Sequence, residues 1–284
     1  MTIADAIHGM RAGMTRAESQ LADAIMDNYP VSGLGSITEL AEKAEVSTPT
    51  VARMVQKLGF GGYGPFQAAL RDELTEMISN PVAKRDTWVS DLPEAHILSR
   101  FSQTAVENLR NTLDQIDVAD FDGLCALIAD PERRIHIAGG RITGTVARYL
   151  YLHLQMIRPG VQLIPLDASW PHHVTDLEPR DVLIAFDVRR YENNTLLMAQ
   201  MAHERGAELA LFTDQWRSPI HRVARYTFPC RIAVPSAWDS VLSLLLVVEC
   251  AIASVQETRW ETVKERNDAL EAAFDRTKLF RKFT

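Results

Sequence analysis

Residues 47–63 hold the side chains best suited to meeting a polyanion. Arg53 and Lys57 lie in this window and no acid does, although the 284-residue chain carries a net charge of −7. Bulk charge says little here, because a nucleic acid meets one local face of a protein and not its average. Thr48, Thr50, Arg53, Gln56 and Lys57 share one side of a helical wheel, while Val51, Met54, Val55 and Leu58 recur at i, i+3, i+4 and i+7 on the other. Ser47 stands at the N-cap, Pro49 sits in the first turn, where its missing N–H costs nothing, and Gly59 follows as a stop. The free N–H groups of such a helix start, with Ser47, Thr48 and Thr50 beside them, suit phosphates or base edges. Arg53 is placed to read a guanine, Gln56 lies on the same face, and Lys57 is better placed for a phosphate.

A second constellation follows a β-branched run. Ile135-His136-Ile137-Ala138 leads into Gly139-Gly140-Arg141-Ile142-Thr143-Gly144-Thr145, which reads as a strand, a glycine turn and a helix start. That geometry presents N–H groups to an anion, and a plain tight connection would use the same residues. His172 and His173 follow Trp170-Pro171 without a third ligand at metal spacing, so they read as loop or rim residues. Trp170 could either close a pocket or pack on the surface. Cys125, Cys230 and Cys250 are too scattered for a disulfide framework or a CxxC pair, and read as buried thiols of a reducing cytoplasm. No metal or other cofactor is expected.

These residues need elements to position them. Ser36-Ile37-Thr38-Glu39 is a capping box opening a short helix with Leu40 and Ala41 turned inward, which ends near Glu45-Val46. Two short helices joined by a turn of about three residues, the second bare on one side, form a unit that fits a DNA major groove. A helical hairpin with a solvated face is the plainer alternative. Glu45 stands where the turn usually has glycine, a residue at ease with positive φ. Residues 1–78 show helical patterns alone, and 79–93, with Pro81, Asp91 and Pro93, read as a linker. From residue 94 a helix with Ile97, Phe101, Ala105 and Leu109 on one stripe precedes alternating elements. Strands are predicted at 135–138, 162–165, 182–186, 209–213 and 228–232. Helices are predicted at 143–158, 194–205, 219–225 and 237–255, with an amphipathic tail helix over 258–283. Alternation of this kind implies a parallel sheet covered by helices. The 237–255 stretch is too apolar for a surface helix and belongs in the core or at a subunit interface. No run is long and apolar enough to span a membrane, and the first residues lack the pattern of a signal peptide, so a cytoplasmic location and no membrane partner are expected.

Residues 46–53, Lys57-Leu58-Gly59-Phe60-Gly61-Gly62-Tyr63, Phe66 and Leu70 together resemble the N-terminal domain of MurR/RpiR transcriptional regulators. Thr15-Arg16-Ala17-Glu18, a capping box opening an earlier helix, extends the likeness. The C-terminal block resembles the SIS (sugar isomerase) domain that accompanies this head, so the resemblance spans nearly the whole chain. It implies an all-α N-terminal helix-turn-helix domain over 1–78, a linker over 79–93, and an α/β C-terminal domain over 94–284. That second domain would be a SIS-like parallel sheet flanked by helices, serving effector binding and dimerisation. The implied partners are a double-stranded DNA operator, a small-molecule effector and further copies of the chain in a homodimer or homotetramer.

The resemblance also proposes ligand residues. Gly139 matches the family's first glycine and Thr143 a ligand-touching serine, with Gly140 and Thr145 beside them, whereas Arg141 replaces the second glycine. The family's Ser-x-Ser-Gly-x-Thr phosphate loop aligns with Asp187-Val188-Arg189-Arg190-Tyr191-Glu192, in which both serines, the glycine and the threonine are gone. Asp187 and Glu192 would repel a phosphate dianion, while Arg189 and Arg190 would attract an anion through their side chains. Asp239 and Ser240 lie where such domains often place residues near the ligand, or else form a plain N-cap. Three readings stay open: a nitrogen metabolite such as an amino acid or ureide, internal pairing of the arginines and acids, or a sugar phosphate held differently. The rival class is a phosphosugar isomerase or another carbohydrate-derivative-binding protein. For catalysis Glu249 and His153 are available as bases but have no evident partner, and the anchor loop is lost, so no enzyme activity is expected.

Overall fold

The structure is a computed structural model that describes residues 2–89 and 96–281, without the side chains of 86–89. The end of the expected linker, the start of the second expected domain, and Phe283 lie outside the described residues. The head comprises α1 (Ile3–Met10), α2 (Arg16–Met26), α3 (Ile37–Lys43), α4 (Thr48–Lys57) and α5 (Tyr63–Ile78). Thr2, Thr15 and Ser36 each form a reciprocal capping box, with Asp5, Glu18 and Glu39, so three of the five helices start on sequence-encoded signals. Leu21, Ile25, Leu40, Val51, Met54, Val55, Phe66 and Leu70 close the small core between them. Glu73 ties α5 to α1 by accepting from the Ile3 N–H at 2.9 Å, and it also takes a hydrogen bond from the Tyr29 hydroxyl.

The second half is an α/β layered unit. In chain order it holds α6 (Pro81–Val89), α7 (Ile97–Leu113), α8 (Val118–Ala129), β1 (Ile135–Gly139), α9 (Thr143–Ile157), β2 (Val161–Leu163), α10 (Trp170–Thr175), β3 (Val182–Asp187), α11 (Asn193–Glu204), β4 (Glu208–Asp214), β5 (Tyr226–Cys230), α12 (Leu242–Thr258) and α13 (Trp260–Thr277). All five strands are parallel, in the order β2-β1-β3-β4-β5. Alternate residues face opposite layers. Ile135, Ile137, Ile184, Phe186 and Phe212 join the core shared with α9 and α12, and Ala138, Leu183, Ala185, Leu209 and Leu211 join the core shared with α10 and α11. The helix after β1 and the helix after β3 thus cover opposite faces. The β1–β3 boundary is a topological switch point, where a crevice opens beyond the carboxyl ends of the strands.

Several boundaries differ from the sequence expectations, for physical reasons. The segment read as linker contains α6, whose Lys84 side chain is 7 % exposed because its ammonium is paired with Asp239. The apolar helix begins at Leu242 rather than 237. Residues before it close a turn in which the Ser240 N–H reaches the Ile232 carbonyl at 2.9 Å, and Asp239 is drawn away to Lys84. The last strand starts two residues early because the Arg225 N–H joins the Leu209 carbonyl, which also ends the preceding 3-10 turn at Arg222. Pro229 is tolerated there because β5 is an edge strand. The second strand is shorter than expected and ends at Leu163. Among the described residues no helix is long and apolar enough to cross a membrane.

Candidate functional site

The α3–α4 turn is built on a Schellman pair: Val46 N–H to Ala41 carbonyl at 2.9 Å and Glu45 N–H to Glu42 carbonyl at 3.1 Å. This needs positive φ at Glu45, which adopts 54° despite its side chain. The same motif ends α4, where Gly59 takes φ 91° and the Phe60 N–H reaches the Val55 carbonyl at 3.2 Å. Between these stops the Ser47 Oγ caps the Thr50 N–H at 3.3 Å. Val51, Met54 and Val55 are buried, whereas Ser47, Arg53 and Gln56 are exposed, and Thr48 and Thr50 are half-buried. The Arg53 guanidinium makes a long 3.5 Å contact with Thr50 Oγ1 and extends into solvent. Lys57 is less free than the sequence suggested. Its ammonium pairs with Glu18, and that hydrogen bond, reinforced by the Thr15 cap, holds the Glu18 carboxyl down at about 2. One cationic, uncovered helix face is the result.

The second site lies at the switch point. A cleft of about 100 Å³ is lined by the β1–α9 turn (Gly140, Arg141, Ile142, Thr143), the segment after β3 (Asp187 to Arg190 and Glu192), Trp238 and Asp239, and, from the other side of the chain, Ser79, Pro81 and Lys84. Gly139 is required by close approach: a Cβ there would lie 2.8 Å from the Thr143 backbone. The Thr143 hydroxyl is spent inside the turn, accepting from the Gly140 N–H at 2.8 Å and donating to the Phe186 carbonyl at 2.9 Å. The Glu192 carboxylate accepts from the Arg141 N–H at 2.9 Å, and Asp214 accepts from the Arg189 N–H at 2.5 Å and the Tyr191 hydroxyl at 2.8 Å. Asp187 is buried, receives the Ser218 hydroxyl and the Glu192 N–H, and has its carboxyl pushed up to about 7, chiefly by desolvation. Asp214, buried likewise, is raised to about 6.

Cations complete the cleft. The Arg189 side chain is 4 % exposed and stacks on Trp216 at 4.7 Å. Its Nε lies 3.3 Å from Asp239 Oδ2, while Lys84 Nζ lies 2.6 Å from Asp239 Oδ1. One carboxylate therefore bridges two buried cations.

Residues 1–77 match the helix-turn-helix domain of the rpiR family, and residues 127–254 match the SIS domain. The chain belongs to the RpiR family of helix-turn-helix transcriptional regulators. Among curated relatives of this RpiR-type regulator is an HTH-type transcriptional regulator of Haemophilus influenzae, 24% identical over 226 residues, which span 78% of this chain and 76% of the relative. The regulator HexR of Pseudomonas aeruginosa is 26% identical over 219 residues, covering 74% and 72%. RpiR of Escherichia coli is 22% identical over 222 residues, covering 75% and 71%. In fold the chain resembles the Vibrio vulnificus NanR protein complexed with ManNAc-6P, with a TM-score of 0.57, 20% identity and coverage of 99% and 100%. The sugar isomerase domain of an RpiR transcription factor from Sphaerobacter thermophilus matches 63% of this chain and 99% of its own, with a TM-score of 0.59 and 21% identity.

The regulator's cleft gathers Gly140, Arg141, Thr143, Asp187, Arg189, Arg190, Glu192 and Asp239. Gly139 packs under the turn. Thr145 is exposed and donates to the Ile142 carbonyl at 2.6 Å, and neither it nor Ser240 lines the cleft. Asp239 is no N-cap, since α12 begins three residues later. Trp170 is buried among Ile164, Val174 and Leu177 rather than closing the cleft. Glu249 accepts from Tyr149 at 2.9 Å and His153 stacks on the same ring, both away from the cleft. Sequence reasoning missed Ser79, Lys84 and Trp238. The one available signal was the Lys84-Arg85 pair that follows the proline of the expected linker.

Proposed function

We propose that this regulator grips a DNA operator with the exposed face of α4 and changes that grip when a small metabolite fills the β1–β3 cleft, catalysing no reaction itself. The observation that carries this is the division of α4: Val51, Met54 and Val55 locked in the core, Ser47, Arg53 and Gln56 uncovered. A helix of this shape enters a major groove with its N-terminal residues near base edges. Residues 1–78 act as the reading head and residues from 94 onward as the sensor, with two or four copies placing heads on half-sites one or two helical turns apart. The NanR protein of similar fold is complexed with ManNAc-6P, which supports small-metabolite sensing by this chain. Against catalysis, the base candidates Glu249 and His153 stand outside the cleft, and Asp187, though near neutrality, is buried beneath Ser218 and the Glu192 N–H.

The test is fluorescence anisotropy with duplexes enriched from a random library by the wild-type chain. Arg53→Ala should weaken the enriched site by about 1–3 kcal/mol, roughly 5- to 150-fold, and relax one base position. Equal weakening on random duplex would make Arg53 a phosphate contact. Failure of the library to enrich any duplex would overturn the reading.

A further inference from the structure

We infer that the effector is a zwitterion, an amino acid or related carboxylate bearing a cationic or hydrogen-bond-donating nitrogen, held between α6 and the sheet with its carboxylate on Lys84 and Arg189. This rests on the cleft being the effector site, as proposed above.

Three features of the cleft select this chemistry. First, three of the backbone N–H groups around it are already taken by the protein's own carboxylates. Arg141 N–H gives to Glu192, Arg189 N–H to Asp214, and Glu192 N–H to Asp187. The Glu192 carboxylate also sits against Gly140, 2.7 Å from where a Cβ would be. A phosphate dianion would have to evict groups of its own charge from every one of these donors. Second, the buried cations outnumber the buried anion between them. Lys84 and Arg189 share Asp239, the Arg189 Nε and Nη2 make no hydrogen bond to the described residues, and the next acid, Glu76, is 3.8 Å away and half in solvent. A side chain that is 4 % exposed with open N–H groups in a cleft needs an acceptor, and one further monoanion balances the pair. Third, Asp187 and Glu192 line the same cleft. Burial disfavours the Asp187 carboxylate, and a nitrogen cation or donor beside it restores the charged form.

The same contacts give the effector a lever on the head. Ser79 and Glu76, at the end of α5, both face the Arg189 guanidinium, at 3.5 Å and 3.8 Å, and Lys84 sits on α6 immediately beyond. A carboxylate entering between Lys84 and Arg189 acts at the junction from which the DNA-reading helices hang, so it favours one head arrangement over another.

Isothermal titration of the full chain with the twenty proteinogenic amino acids and β- and γ-amino acids tests this. Each is matched to its des-amino carboxylate and its decarboxylated amine, and hexose 6-phosphates and inorganic phosphate are run alongside. At least one zwitterion should bind, with both truncated partners at least tenfold weaker. Lys84→Met should cost it at least tenfold, and Lys84→Arg should restore most of the loss. The analogue series stands even if Lys84→Met fails to fold. Tighter binding of a hexose 6-phosphate than of any zwitterion, or no binding by any zwitterion, would overturn the inference. Operator affinity is measured on the same preparation without ligand. If it is intact, the ligand class alone is wrong; if it is absent, the regulator reading falls separately.

Discussion

Asp187→Asn isolates the electrostatics of the cleft. In an unfolded chain this carboxyl ionises near 3.8, and in the fold desolvation holds its proton to about 7. Between those values the folded state binds a proton the unfolded state lacks. Its stability contribution is therefore complete below about pH 4 and is lost as pH rises towards 7. The slope is about 1.4 kcal/mol per pH unit, and roughly 4 kcal/mol over the whole interval. No solvent discount applies, because Asp187 is 2 % exposed. Asparagine keeps the shape and an acceptor oxygen for Ser218 or the Glu192 N–H but does not titrate. Any constant cost of the swap cancels when only the pH dependence is compared. The charge of the neighbouring Asp214 adds to the rise at Asp187, and Asp214 itself is present in both proteins. Urea melts followed by tryptophan fluorescence at pH 5, 6, 7 and 8 should show wild type losing about 2 kcal/mol relative to Asp187→Asn between pH 5 and 7, and little beyond. A difference between the two proteins that stays flat across this range would refute the argument that burial governs the site.

Two further substitutions check the frame around the sites. Gly139→Ala pushes a methyl to 2.8 Å from backbone atoms of Thr143 and 2.9 Å from the Gly144 nitrogen, which cannot swing aside; destabilisation of about 1–3 kcal/mol is expected in urea melts, and wild-type stability would show that the turn is looser than described. Glu18→Ala removes both the Thr15 capping partner and the Lys57 ion pair, and should lower the melting temperature of the head through a loss of about 1–2 kcal/mol, read by circular dichroism; an unchanged melt would mean that neither contact holds α2 in place.

The head was legible because its signals are local. Thr15 with Glu18, Ser36 with Glu39, and Ser47 with Pro49 each declare a helix start within four residues, and the Val51 stripe declares the buried side. Glu45 looked like an obstacle because positive φ is costly for a side chain, yet the two Schellman hydrogen bonds and the burial of α3 and α4 offset that cost. The cleft was legible only in part. The residues after β1 and β3 could be placed, because a parallel sheet sends its loops to one end. Asp239 could be placed near the ligand only through the family resemblance and Lys84 not at all, because the two meet across 155 residues of chain and no local pattern encodes such a pairing. Thr143 could be placed at the cleft, but what its hydroxyl bonds could not be read, for a related reason. A hydroxyl in a βα turn can serve a ligand or the turn itself, and only the Gly140 N–H and the Phe186 carbonyl decide which.

The acids that replace the family's hydroxyl loop alter more than the charge of the cleft. A loop whose N–H groups wait for a phosphate is completed by its ligand, and part of the binding energy goes into ordering it. Here Glu192, Asp214 and Asp187 already satisfy those N–H groups, so the turn and the loop are held before anything arrives. The open donors sit elsewhere, on the Arg189 guanidinium, which shares the two Asp239 oxygens with the Lys84 ammonium. Lys84 and Ser79 come from the chain between head and sheet, so on the proposed ligand reading an anion that joins Lys84 and Arg189 acts first on the connection and only second on the sheet. On the proposed ligand reading, the acids that stand where the resemblance expects a phosphate loop move the point of ligand control from the wall of the SIS domain to the root of the DNA-reading head.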